Sequence, residues 1–208
     1  MQPGVFYHIY NRGNNHELIF LEEENYRYFL RRFKHYLSSY VDTYAYCLMP
    51  DHFHFLVYVR PLESKTSKVS ANQQTSKVSE TFEVLTPVQK AFKNFFISYA
   101  KSFNKRYKRT GSLFQYKFKR KAVTSTAHIL VLIPYIHLNP VHAGLCPSVE
   151  DWEFSSYITL IGDRRTSLKR DAVLELYDGR EGFIRAHQRR NFESLANQTS
   201  KISESFEV

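Results

Sequence analysis

Only two of the 208 residues are cysteine, Cys47 and Cys146, so a disulfide framework is excluded. Glycine and proline number seven each, and tryptophan occurs once. No apolar run approaches the roughly 18 residues of a membrane span, so no membrane association is expected. The opening residues, Met1-Gln2-Pro3-Gly4-Val5, carry no basic stretch or apolar core and do not read as a secretory signal. Acidic residues are in deficit, 20 Asp and Glu against 29 Lys and Arg, which leaves a net charge of +9. Aromatics are plentiful, with 17 Phe and 15 Tyr. That excludes disorder over the whole chain, because disordered chains are poor in aromatics. The expectation is a cytoplasmic globular protein with a polyanionic partner, nucleic acid first.

The charge is unevenly spread. Lys101 to Lys121 holds nine basic residues and no acidic one, interleaved with Phe103, Tyr107, Phe114, Tyr116 and Phe118. Phosphates pair with cations, and unpaired bases stack on π-faces. A solvated helix face usually mixes both signs. The segment therefore reads as a nucleic-acid contact, with Lys105, Arg106, Arg109, Lys117, Lys119 and Arg120 as candidates. Its aromatics read equally well as core.

Val5 to Tyr10 alternates and is β-rich, and Asn11 to Asn15 is a turn cluster. Apolar residues at Tyr26, Phe29, Leu30, Phe33 and Leu37 predict a helix from Glu22 to Leu37. Thr43–Met49 and His52–Val59 read as strands around Pro50-Asp51. A helix from Pro87 to Tyr107 follows. The order is that of a ferredoxin-like split βαβ core, an α+β fold with an antiparallel sheet. A helix from Thr124 to Leu138 is expected to kink or break at Pro134 and to end at Asn139-Pro140. Segments 167–177 and 182–192 read as added C-terminal helices.

Residues 61–86 are rich in Ser, Thr, Lys and Gln and read as a low-complexity insert. Thr75 to Val84 recurs as Thr199 to Val208, with Val/Ile and Thr/Ser the only changes. The expected organisation is a core domain over 1–160, a helical extension over 161–194 and a repeat-bearing tail over 195–208.

His52-Phe53-His54 places two imidazoles on one face of a strand, half of a divalent-metal site. Around this pair the sequence resembles the HUH single-strand DNA transposases with one catalytic tyrosine, most closely the REP-associated tyrosine transposases. Five ordered blocks carry the resemblance: Tyr7 to Asn14; Tyr46 to Val57, with Asp51 where Asn is more usual; Arg109 to Gln115; Tyr135 to Leu145; and Asp151 to Tyr157.

The resemblance implies that His52 and His54 hold Mg²⁺ or Mn²⁺, with a third ligand from a catalytic helix. It implies a tyrosine that attacks phosphorus, leaving a 5′-phosphotyrosyl link and a free 3′-OH. The implied partner is single-stranded or hairpin DNA, with Arg12 among the contacts. Monomers and dimers both occur in the family, so a homodimer is compatible with it. Counted from Gly111, the family's nucleophile falls on Phe118, which has no hydroxyl, and a third metal ligand would fall on Ala122. Tyr116, two residues earlier, is then the candidate catalytic residue or a packing tyrosine. Two functions follow from the resemblance: metal-dependent nicking and joining, or hairpin binding by a cleavage-deficient descendant.

Overall fold

The computed structural model describes residues 1–61, 85–115 and 117–188. The repeated copies at 75–84 and 199–208, most of the 61–86 insert and Tyr116 lie outside these residues.

Capping fixes where the first two helices begin. Asn25 lends its side-chain oxygen to the backbone N–H of Glu22, and the Glu22 side chain accepts from the N–H of Asn25. Helix α1, Glu23–Leu37, buries Tyr26, Phe29, Phe33 and Leu37. Thr86 and Gln89 cap α2, Pro87–Arg106, in the same reciprocal way. Pro87 stands in its first turn, where an N–H would have no helical partner.

Four strands form the sheet: β1, Phe6–Arg12; β2, Val41–Leu48; β3, His52–Val59; and β4, Lys119–Val123. Their order is β2-β3-β1-β4, with every neighbouring pair antiparallel. This is the expected ferredoxin-like arrangement. Helices α1 and α2 cover one face through an aromatic core, in which Phe33 stacks on Phe55 with ring centres 4.3 Å apart. Helix α3, Thr126–His142, covers the other face, setting Leu132, Ile133 and Ile136 against Ala45, Cys47 and Leu56. Short helices α4, Tyr157–Ile161, α5, Arg170–Glu175, and α6, Arg180–Ala186, add Tyr157, Val173 and Phe183 to that second core.

Two expectations are corrected. Helix α3 does not break at Pro134 or end at Asn139-Pro140; it runs on to His142. Pro134 has no N–H to offer the carbonyl of Leu130. The Tyr177 hydroxyl, just after α5, donates to that carbonyl instead at 2.9 Å, so burial of the helix leaves this acceptor satisfied. The second correction concerns the catalytic helix on which the resemblance sets Phe118 and Ala122. Phe114 bridges to Gly13, and residues 119–123 are a strand paired with β1. Strand alternation therefore sends Lys119 and Lys121 to one face, and Arg120 and Ala122 to the other.

Candidate functional site

The site grows from the β1–β3 pairing, which sets Arg12 opposite His52 and Tyr10 opposite His54. His52 and His54 project from β3 toward the α3 face, their ring centres 5.2 Å apart. Asp51 carries the outer histidine. Its Oδ1 lies 2.5 Å from His52 Nδ1, and its Oδ2 accepts from Arg12 Nε at 2.8 Å. Burial would raise the Asp51 pKa, but the hydrogen bonds and charges of His52 and Arg12 outweigh that and bring it to about 2. A fixed carboxylate behind Nδ1 is how proteins orient a metal-binding imidazole, with Nε2 left for the ligand.

His54 lies deeper. Its Nδ1 is 2.9 Å from Nε2 of buried His8, whose ring stacks on it at 5.1 Å. Burial, then the neighbouring His8, His52 and Arg12, push the His54 pKa well below its ordinary value. Burial, His128 and Lys121 bring His8 to about 3. Both rings are thus neutral at physiological pH, and neutral imidazole is the form that binds metals.

Helix α3 closes the cleft. Among its buried positions, Val131, Tyr135 and Asn139 form a half-buried edge with a spacing of four. Tyr135 meets His54 edge-on with ring centres 5.8 Å apart. One turn later, Asn139 Nδ2 donates to the Tyr135 carbonyl at 2.7 Å, which leaves Oδ1 as an acceptor. His52, His54, Tyr135, Asn139, Lys119 and Arg12 line one cleft of about 500 Å³.

The spacing of His52 and His54 is compatible with one shared divalent cation. Two imidazoles sharing an ion at about 2.1 Å have ring centres no more than roughly 6 Å apart. The observed separation, 5.2 Å, satisfies this. Among the described residues no group of three His, Cys, Asp or Glu side chains is placed to hold a metal ion. Asn139, whose amide oxygen is a further donor, lines the same cleft, as do Asn11, His16 and Gln115.

The other expected residues divide between the two faces of the sheet. Phe118 does not face the histidines, which corrects its assignment to the attacking position. It packs on the α2 side, its ring centre 5.4 Å from that of Phe92 and 5.1 Å from that of Phe96. Ala122 pairs with Tyr7 and shares that face, so it too is remote from the histidines. Lys119 is in the cleft, its Nζ 5.9 Å over the Tyr10 ring. Lys117 and Arg120 line a groove on the α2 side. Arg106 pairs with Glu22 at 2.6 Å and Arg109 pairs with Glu17, which ties the end of α2 to the approach to α1. Lys105 is exposed in the last turn of α2.

Tyr135 and Asn139 were missed as site residues, although the family block at 135–145 contains them. Their signal is a polar pair, four apart, on a largely apolar helix that also carries His128 and His137. What hides it is the fold, since only the packing of α3 across β3 brings them to His54.

No family model matches the chain, and no curated protein does. Among solved structures the chain is similar to one described as "Structure of the REP associates tyrosine transposase bound to a REP hairpin". The TM-score is 0.52 at 16% identity, over 77% of this chain and 81% of that one. At this identity the likeness establishes a shared fold.

Proposed function

We propose that the chain is a transposase-like protein that binds single-stranded or hairpin DNA, and that the histidine cleft cleaves it with Tyr135 as nucleophile. The observation that carries this reading is the tyrosine beside His54, in one cleft with His52 and Asn139. The fold shared with a hairpin-bound transposase supports the substrate class. The earlier ground for a binding-only protein was a phenylalanine at the attacking position. Phe118 lies on the opposite face of the sheet, so it does not bear on cleavage.

In this mechanism the Tyr135 oxygen forms a bond to phosphorus as its proton is lost. The bond from phosphorus to the 3′-oxygen breaks, and that oxygen leaves as a hydroxyl after taking up a proton. The phosphotyrosyl bond retains the energy of the broken link, so rejoining needs no nucleotide. His52 Nε2, His54 Nε2 and Asn139 Oδ1 would hold Mg²⁺ or Mn²⁺, which polarises a phosphate oxygen when bound. Lys119 and Arg12 add positive charge where the phosphate sits.

The test is denaturing electrophoresis after incubation with a pool of single-stranded hairpins and Mn²⁺. Wild type is expected to give a covalent protein–DNA band. Tyr135→Phe is expected to lose at least 100-fold in that band while hairpin binding changes less than threefold. An undiminished band in Tyr135→Phe would contradict the assignment.

A further inference from the structure

A second cavity, about 730 Å³, lies on the α2 side of the sheet. One face of α2 lines it at Gln89, Lys93, Ile97 and Lys101, a spacing of four that turns these side chains the same way. Phe96 and Phe118 supply aromatic surface to it, and the Arg120 guanidinium lies 5.8 Å over the Phe118 ring. Ile97 is 42% exposed, although it is a large apolar side chain. The lining has cations and amides but no carboxylate. From Leu85 to Val149 the sequence contains no acidic residue. Among the described residues, no ion pair includes Lys93, Lys101 or Arg120.

A rim of one sign around an apolar floor matches a polyanion with flat apolar parts. Single-stranded nucleic acid has this chemistry: phosphates for Lys93, Lys101 and Arg120, and bases for the apolar floor. Duplex DNA hides its base faces in the stack, so the apolar floor selects unpaired strand. The groove meets the histidine cleft at Asn11 and Gln115, which line both. From these observations we infer that this groove is a second binding site, which takes unpaired DNA on the side of the sheet away from the histidines. Resting on the proposed DNA-binding function, it extends the footprint around the end of β4, from the cleft onto α2.

The probes are a fluorescein-labelled thymidine dodecamer and a labelled blunt hairpin, read by fluorescence anisotropy over a series of salt concentrations. In single strands each cation lost removes about 0.7 from the log–log salt slope. The triple variant Lys93→Gln, Lys101→Gln, Arg120→Gln is expected to flatten the dodecamer slope by about two units and to weaken binding at least tenfold. Ile97→Glu, a change at one exposed position, is expected to weaken dodecamer binding at least fivefold. Blunt-hairpin binding should change less than threefold in both variants. Unchanged dodecamer binding in both variants, with hairpin binding intact, would overturn the groove alone. Wild type that binds neither probe would overturn the proposed function together with the groove.

Discussion

At the residue scale the chemistry depends on which nitrogen of His54 is free. Its Nδ1 is engaged with His8 at 2.9 Å, which leaves Nε2 to the cleft, so under the proposed metal binding His8 would be a positioning residue. Second-shell partners of this kind are worth about 10–100-fold in metal affinity. His8→Phe keeps the ring stack but removes the acceptor, and is expected to weaken Mn²⁺ binding by about that range. His8→Gln keeps an acceptor oxygen and should recover most of it. Isothermal titration with Mn²⁺ and ¹⁵N NMR of the His54 ring in the metal-free protein check this. Equal Mn²⁺ affinity in wild type and His8→Phe would contradict it. The i, i+2 spacing of His52 and His54 made their shared face legible from sequence alone. The placement of His8 and Tyr135 beside His54 was not legible, because it depends on two elements remote in sequence meeting at β3. Counting from Gly111 led to Phe118, which stands immediately before the edge strand β4 rather than on a helix.

At the scale of elements, α1, α2 and the central strands were legible because their apolar periods and caps agree with their packing. Helix α3 was misread at both prolines, since a missing N–H is a local signal and its compensation is a tertiary one. Tyr177 supplies that compensation through its hydroxyl on the Leu130 carbonyl. Tyr177→Phe removes this donor from a half-buried carbonyl, which typically costs about 0.5–1.5 kcal/mol. Urea unfolding should show a lower midpoint, equivalent to a loss of that size, without a change in slope. No shift would mean that another donor serves Leu130. Strand β4 escaped the sequence reading for a different reason. Lys119, Arg120 and Lys121 are poor strand formers in isolation, but they suit an exposed edge, where charge prevents pairing with other chains.

At the scale of the whole molecule, one buried hydrogen-bonded chain joins the C-terminal helices to the sheet. His187 Nδ1 donates to the Phe183 carbonyl at 2.8 Å, so its Nε2 accepts from His137 Nδ1, also at 2.8 Å. His137 Nε2 then faces Ser156 Oγ at 2.7 Å, and that oxygen accepts from Tyr46 N–H of β2. Burial lowers the His187 pKa from 6.5 to about 4, against smaller raising effects of Phe183 and Glu150. Burial, then His187, lowers His137 well below its ordinary value. Both folded values lie below the unfolded one, so the stability tied to the neutral rings is complete above pH 6.5. It is lost as the pH falls below 6.5, because the unfolded chain takes up protons first. At pH 5, His187 alone accounts for a loss of about 2 kcal/mol. Urea midpoints in EDTA should therefore fall between pH 7.5 and 5, and fall less in His187→Gln. Equal slopes against pH in the two proteins would contradict the linkage.

The most direct measurement of the central claim is tandem mass spectrometry of the covalent adduct, after nuclease and trypsin digestion. The sample is wild type incubated with Mn²⁺ and the hairpin pool. The account predicts a nucleotide mass on Tyr135, within the peptide that begins at Ala122. A nucleotide mass on Tyr116, within the peptide from Thr110 to Lys117, would contradict it, as would the absence of any adducted tyrosine.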